Sequence, residues 1–299
     1  MSTLEERPAR RRGFLICLAA YAAAGGVASL VGWLASPLHP LWTAALADLA
    51  ATVTVFLFSL AFDNSSLYDP YWSVIPPFLA LFWLVAAGAA GADGLPVRQW
   101  LVGGLLLAWA VRLTFNWVRR WRGLRHEDWR YADYRRFGAA YWPVSFAGFH
   151  LLPTIIVFLG CLALWPALAA GGHAFGALDA VAAAVTAVAI ALETTADRQL
   201  VRFLRTAGAQ RVMDRGLWSL SRHPNYFGEV LFWWGLWLFG LAASPAWWWT
   251  VVGPLAMTAL FLGISVPMME RHLAARHPGY GEQARRRSAF LPWFPRPRG

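Results

Sequence analysis

Apolar residues gather in eight stretches, at about 14–35, 42–62, 73–91, 98–117, 149–170, 176–197, 229–243 and 247–268. A helix needs about 17–25 apolar residues to cross a bilayer, and most of the eight reach that length, the seventh being short. None alternates apolar with polar positions, which argues against the strands of a membrane β-barrel. The pattern predicts an all-α, polytopic membrane bundle of about eight transmembrane helices. It reads as a single membrane domain, with N-terminal helices in 1–62, a core in 63–299, and no convincing internal repeat.

Charge then suggests an orientation. The 26 basic residues are all arginine: four precede the first stretch, seven lie in 118–148, six in 198–228 and seven after 268. The short connections 36–41, 171–175 and 244–246 contain none. Eight crossings from a cytoplasmic N-terminus put every basic segment on one side, whereas seven would split them. The positive-inside rule therefore predicts cytoplasmic N- and C-termini, with 118–148 and 198–228 as cytoplasmic loops. Arg7, Arg10, Arg11 and Arg12 before the first stretch resemble the charged start of a signal peptide. The apolar run to Leu34 is too long for one, so a retained helix is expected.

Composition narrows the chemistry. The chain is 58% hydrophobic and 14% charged, with a mean hydropathy of +0.44. The absence of lysine excludes Schiff-base and lysine-base mechanisms. Basic loops between spans explain the high isoelectric point, so membrane lipids, not nucleic acid, are the expected polyanionic partner. Cys17 and Cys161 both sit in apolar runs, which argues against a disulfide framework or a thiolate metal site.

Several polar residues stand where a membrane makes them costly. In Arg222-His223-Pro224-Asn225-Tyr226-Phe227-Gly228-Glu229, Pro224 can open a helix. Asn225 and Glu229, four apart, then share a face, able to hold a carboxamide or a ribose hydroxyl or simply to start a helix. Glu193 and Asp197 repeat that spacing, with Arg202 and Arg205 on the next turns, where a phosphate would meet them; basic residues there also suit a helix C-terminus and lipid headgroups. Arg112 and Asn116 lie on one face inside the fourth stretch. Glu127-Asp128-Trp129-Arg130-Tyr131 adds acids and aromatics to the first basic loop. Asp69 precedes Pro70 at the third stretch: it is either a helix N-cap or, if dehydrated, a protonated acid. His272 is a ligand contact or an interfacial histidine, and Arg285-Arg286-Arg287 a headgroup anchor.

Taken in order, Arg112…Asn116, Glu127-Asp128-Trp129-Arg130-Tyr131, Glu193…Ala196-Asp197-Arg198-Gln199 and Arg222-His223-Pro224-Asn225-Tyr226-Phe227-Gly228-Glu229 resemble the bacterial DUF1295 branch of the steroid 5-alpha-reductase family, over roughly 60–295. The resemblance implies an inner-membrane oxidoreductase that uses NADPH to reduce a carbon–carbon double bond conjugated to a ketone in a lipophilic, steroid-like substrate. It implies cofactor contacts from Arg112, Asn116, Asp128, Tyr131, Glu193, Asp197, Arg202, Arg205, His223, Asn225, Tyr226, Glu229 and His272. The family's catalytic tyrosine aligns with Trp109, which cannot protonate a carbonyl oxygen, so either that task falls to Asp69, Tyr68 or Tyr71, or the substrate differs from a 3-oxo-4-ene steroid. Isoprenylcysteine methyltransferases share the His-Pro-x-Tyr helix start, which makes an S-adenosylmethionine-dependent membrane methyltransferase the alternative.

Overall fold

A computed structural model describes residues 6–88, 96–206, 212–277 and 279–294. Long apolar runs with few β-branched clusters satisfy their backbone polar groups internally as helices, the form a bilayer demands. In chain order these are α1 (Glu6–Leu34), α2 (Pro40–Ala61), α3 (Tyr71–Ala86), α4 (Val97–Arg120), the short α5 (Trp129–Ala132), α6 (Tyr141–Ser145) and α7 (Leu152–Cys161). They continue with α8 (Ala177–Thr206), the short α9 (Leu217–Leu220), α10 (Pro224–Ala243), α11 (Val252–Leu260), α12 (Val266–Arg276) and α13 (Tyr280–Arg286). Tighter or wider helical turns connect many of them. Among the described residues the only β pairing is an isolated bridge between Ser221 and Ser288. The protein is an all-α polytopic membrane bundle.

Among the described residues seven continuous helical runs are long and apolar enough to cross a membrane, two of them, Arg135–Ala170 and Pro245–Arg276, joining several of these helices. The apolar segment that falls short is the third, not the seventh. Helix α3 has 16 residues and is followed by Gly88 in the left-handed region, at φ 64°; the end of the predicted stretch, 89–91, lies outside the described residues. The seventh gains length because Pro224 opens α10 five residues before the apolar run, giving 20 residues. Both basic loops are shorter than the charge pattern suggested. Helix α4 continues through Arg120 and α8 through Thr206, because arginines at a helix C-terminus complement its dipole.

The chain packs as two compact units, 1–94 with 106–161 and 95–105 with 162–299, where the sequence pattern offered no boundary. In the first, α1 and α2 pack along their length, and Tyr68 and Tyr71 join Ala24, Ala51 and Val55 in a core. In the second, α8 buries Ala182, Thr186, Ala189, Glu193 and Ala196, a three-four spacing that forms one stripe. Glycines of α10 face that stripe. A Cβ on Gly228 would lie 2.9 Å from Glu193 Cβ and 3.0 Å from the Ala189 carbonyl, and one on Gly235 would lie 2.2 Å from Thr186 Oγ1. Small residues let helix backbones approach where lipid provides no hydrophobic drive. Gly235→Val is therefore expected to cost about 1–3 kcal/mol of overpacking, read as a lower unfolding temperature in detergent. Gly104→Ala, with open space around its Cβ position, should leave that temperature unchanged.

Arg98, the arginine nearest the start of α4, is accounted for within the second unit. Its guanidinium donates to both oxygens of buried Asp179 at 2.6 and 2.8 Å, and to the His173 and Ala174 carbonyls. The pair is bidentate and saturated, the form in which a buried charge is tolerated. Trp33, Trp42, Trp100 and Trp248 are exposed near helix ends with few arginines, as tryptophans at a bilayer interface are.

Candidate functional site

The first unit carries its polar side chains around the turn between α2 and α3. Asn64 caps that turn by accepting from the Ser66 N–H, and its amide donates to the Leu124 and His126 carbonyls. Glu127 accepts from the Ser65 N–H and from Arg135, and Arg135 also donates to Asp63. The Asp128 N–H donates to Ser66 Oγ at 2.9 Å. These bonds clamp residues 121–135 over the turn and bring Asp69 to them.

Asp69 is not the N-cap of α3. Pro70 occupies that position of α3, with no side-chain cap bond, and Asp69 closes the preceding turn with helical backbone angles. Its carboxylate is thereby released to meet α5: Tyr131 Oη donates to Asp69 Oδ1 at 2.6 Å and Arg130 at 3.2 Å. Arg130 also donates to Asp128 at 2.8 Å, while Asp128 caps α5. Burial pushes the Asp69 carboxyl up to about 6; Arg130 opposes this and the Asp128 carboxylate reinforces it. Asp128 lies below its ordinary value despite burial, because Arg130 supplies both charge and hydrogen bond. Two neighbouring acids thus differ in proton affinity, the arrangement that separates a proton donor from a permanent anion.

Tyr68 and Tyr71, the other candidate donors, are wholly buried. Their rings stack with centroids 4.9 Å apart. Tyr71 Oη donates to Asp48 Oδ1 at 2.6 Å, and Tyr68 Oη is 2.7 Å from Thr154 Oγ1. Trp109 is also wholly buried. Arg112 and Asn116 are half-buried on α4, and their neighbour Thr114 bonds Ser73 at 2.8 Å.

The second unit holds the remaining candidates. Gly228 draws α10 against Glu193 of α8, so Glu193 and Glu229, both buried, flank the contact. Glu229 accepts from Trp233 Nε1 at 2.9 Å. Asn225, one turn before Glu229, has a buried Oδ1 with no hydrogen-bond partner among the described residues. A buried amide oxygen without a donor costs about 1–3 kcal/mol, which a bound N–H or O–H would recover. Further along α8, a cleft of about 510 Å³ is lined by Gln199, Arg202, Arg205, Met213, Arg215 and Gly216 among others. Gly216 has φ +60° and a Cβ there would strike the Gln199 side chain at 2.5 Å, while Gln199 accepts from the Leu217 N–H. Asp197, half-buried, lies on α8 between Glu193 and this cleft.

His223 and Tyr226 sit beside these residues in a different network. His223 Nε2 is 2.7 Å from Glu270 Oε1, and its ring stacks on Tyr226 at 5.3 Å and 11°. Glu270 also accepts from Arg222 at 2.8 Å and from Tyr280 at 2.7 Å. Arg222 donates to the Ala284 and Arg287 carbonyls, and Ser221 to Phe290. The C-terminal segment is thus tied to the start of α10, and His223 is part of the tie. Burial and its bond to Glu270 raise the Tyr280 phenol above its ordinary value. His272 is a half-buried residue of α12.

The sequence-level candidates therefore fall into two sets. Tyr68, Asp69, Tyr71, Arg112, Asn116, Asp128 and Tyr131 lie in the first unit, and Glu193, Asp197, Arg202, Arg205, His223, Asn225, Tyr226, Glu229 and His272 in the second. Asp48, Arg215 and the Glu270 hub had no clear signal. Asp48 stands alone in an apolar run, and no spacing ties Glu270 to a histidine 47 residues earlier.

Fold and site define a polytopic helical membrane protein with buried carboxylates. The chain belongs to the DUF1295 family, described as a protein of unknown function, whose profile it matches over residues 55–286. It is also similar to "Uncharacterized protein C594.04c" of Schizosaccharomyces pombe, at 27% identity over 255 residues, covering 77% of this chain and 73% of that one. No solved structure matches significantly.

Proposed function

We propose that the protein is an NADPH-dependent oxidoreductase acting on CH–CH groups, which reduces a carbon–carbon double bond conjugated to a ketone in a lipophilic, steroid-like substrate. The observation that carries this reading is the buried Asn225 Oδ1 beside Glu229 and Glu193, an acceptor set suited to a carboxamide N–H and ribose hydroxyls. The arginine-lined cleft suits the phosphates, with Arg202, Arg205 and Arg215 as donors. Asp197 joins this grip, and the family resemblance adds Arg112, Asn116, Asp128, Tyr131, His223, Tyr226 and His272. Held there, NADPH supplies the hydride for the double bond.

Asp69 is the acid. Near neutral pH a carboxyl with a value of about 6 keeps part of its population protonated, and Tyr131 and Arg130 fix its direction. It donates to the ketone oxygen, where negative charge develops. The same proposal sets the protein in a bacterial inner membrane with both termini cytoplasmic, which requires α3, with its 16 residues, to cross as an eighth span beside the seven longer ones.

The test uses purified protein in lipid vesicles, with NADPH and a panel of 3-oxo-4-ene steroids and other enone lipids. NADPH oxidation that depends on the enone is expected, along with thermal stabilisation by NADPH. Stabilisation by S-adenosylmethionine instead would replace the reductase by a membrane methyltransferase. Stabilisation by neither would leave a lipid-binding scaffold.

A further inference from the structure

Asp48 lies inside α2, 5% exposed, upstream of the residues matched by the family profile. A carboxyl there faces the bilayer interior or the packed bundle, where an ion without a partner is costly. Its neighbours are hydroxyls: Thr52 on its own helix, Tyr71 on α3, and Thr154 on α7 through Thr52. Tyr21 of α1 packs against Tyr71 at 6.2 Å. Among the described residues no cation pairs with Asp48.

The hydroxyls form one chain whose direction can be worked out, since each carries a single hydrogen. Tyr71 Oη donates to Asp48 at 2.6 Å. Thr52 spends its hydrogen on the Asp48 carbonyl at 2.9 Å or on Tyr71 Oη at 3.0 Å. Thr154 must then donate to Thr52 across their 2.8 Å contact. Tyr68 in turn must donate to Thr154 across 2.7 Å. With Asp48 as carboxylate, every hydrogen points inward and Tyr68 offers only lone pairs. With Asp48 protonated, rotation of the hydroxyls reverses the chain on the same heavy atoms and frees the Tyr68 hydrogen.

We infer that Asp48 is the proton-holding end of a buried relay, Asp48–Tyr71–Thr52–Thr154–Tyr68, and a positioning residue that acts through Tyr68. The inference rests on the reductase proposal for its last step only. Hydride addition at the β-carbon leaves an enolate that needs one proton at the α-carbon. In firing, the Tyr68 O–H bond breaks as that C–H bond forms, and each hydroxyl takes the hydrogen of the one behind it. Asp48 ends as carboxylate, the inward-pointing state. Water returns the proton through the same hydroxyls between turnovers, and the two electrons come from NADPH. Asp69 hydrogen-bonds the enolate oxygen and keeps its own proton, so the single proton that the product gains comes through the tyrosine pair.

The test has a reading independent of turnover. Infrared spectra of the purified protein, from mildly acidic to mildly alkaline pH, should contain a protonated-carboxyl C=O band that shifts in heavy water. The wild type minus Asp48→Asn difference should isolate that band, and Asp48→Glu should restore it. Carboxylate stretches in that difference at every pH would overturn the inference. In turnover, Asp48→Asn should lower kcat roughly a hundred-fold with NADPH affinity unchanged, and raise the solvent isotope effect. An unchanged kcat and isotope effect would overturn the relay. A wild type that shows the band but reduces no enone would instead refute the reductase proposal.

Discussion

Asp69→Asn should lower enone reduction by about 10²- to 10⁴-fold, the usual worth of a positioned general acid, and leave NADPH affinity unchanged. The wild-type rate should fall as pH rises through about 6, because the donating form is the protonated one, and the variant should lack that limb. Stability should follow the same group with the opposite sense to an ordinary ion-paired acid. The folded state binds more protons than the unfolded one between the ordinary value of 3.8 and about 6. The contribution of Asp69 to stability is thus greatest below that window, falls across it, and is flat above it. A flat pH–rate profile in the wild type would remove Asp69 from the role.

Glu229→Gln combined with Asn225→Ala should bring the largest loss on the cofactor side. A hydrogen bond to a charged group contributes about 1.5–3 kcal/mol, so the pair should weaken NADPH binding by at least about a hundred-fold. Gln at 229 retains an acceptor for Trp233 Nε1, whose bond to Glu229 is 2.9 Å, so the helix contact is preserved. Fluorescence titration with NADPH reads the affinity, and circular dichroism with thermal unfolding confirms that the variant is folded. Unchanged affinity in a folded variant would move the cofactor elsewhere.

Local features were legible in the sequence, and long-range ones were not. The Pro224 helix start and the four-residue spacing of Asn225 and Glu229 depend only on helix geometry. The spacing of Glu193 and Asp197 also predicted their position on one long helix, α8. Asp69 shows the limit. Its neighbours Asp69-Pro70 fit a cap, but Tyr131 and Arg130, 62 and 61 residues away, claim the carboxylate, and no local pattern encodes that. Asp48 stands alone in an apolar run, where no local pattern marks it; its hydroxyl partners, Tyr71 and, through Thr52, Thr154, come from other helices. The third stretch looked long enough to span because the apolar composition continues past Gly88, where the backbone turns out of the helix. The two-unit packing was invisible for the same reason: Cys161 and Leu162 sit in an unbroken apolar run.

In the proposed function Glu193, Asn225, Glu229 and the arginine cleft grip a phosphorylated nicotinamide dinucleotide. Equilibrium titration of the purified wild-type protein with NADPH, NADH and S-adenosylmethionine, under identical conditions, tests it most directly. Saturable NADPH binding is expected, with weaker NADH binding because the cleft arginines lose a phosphate, and no binding of S-adenosylmethionine. No saturable binding of NADPH would contradict it.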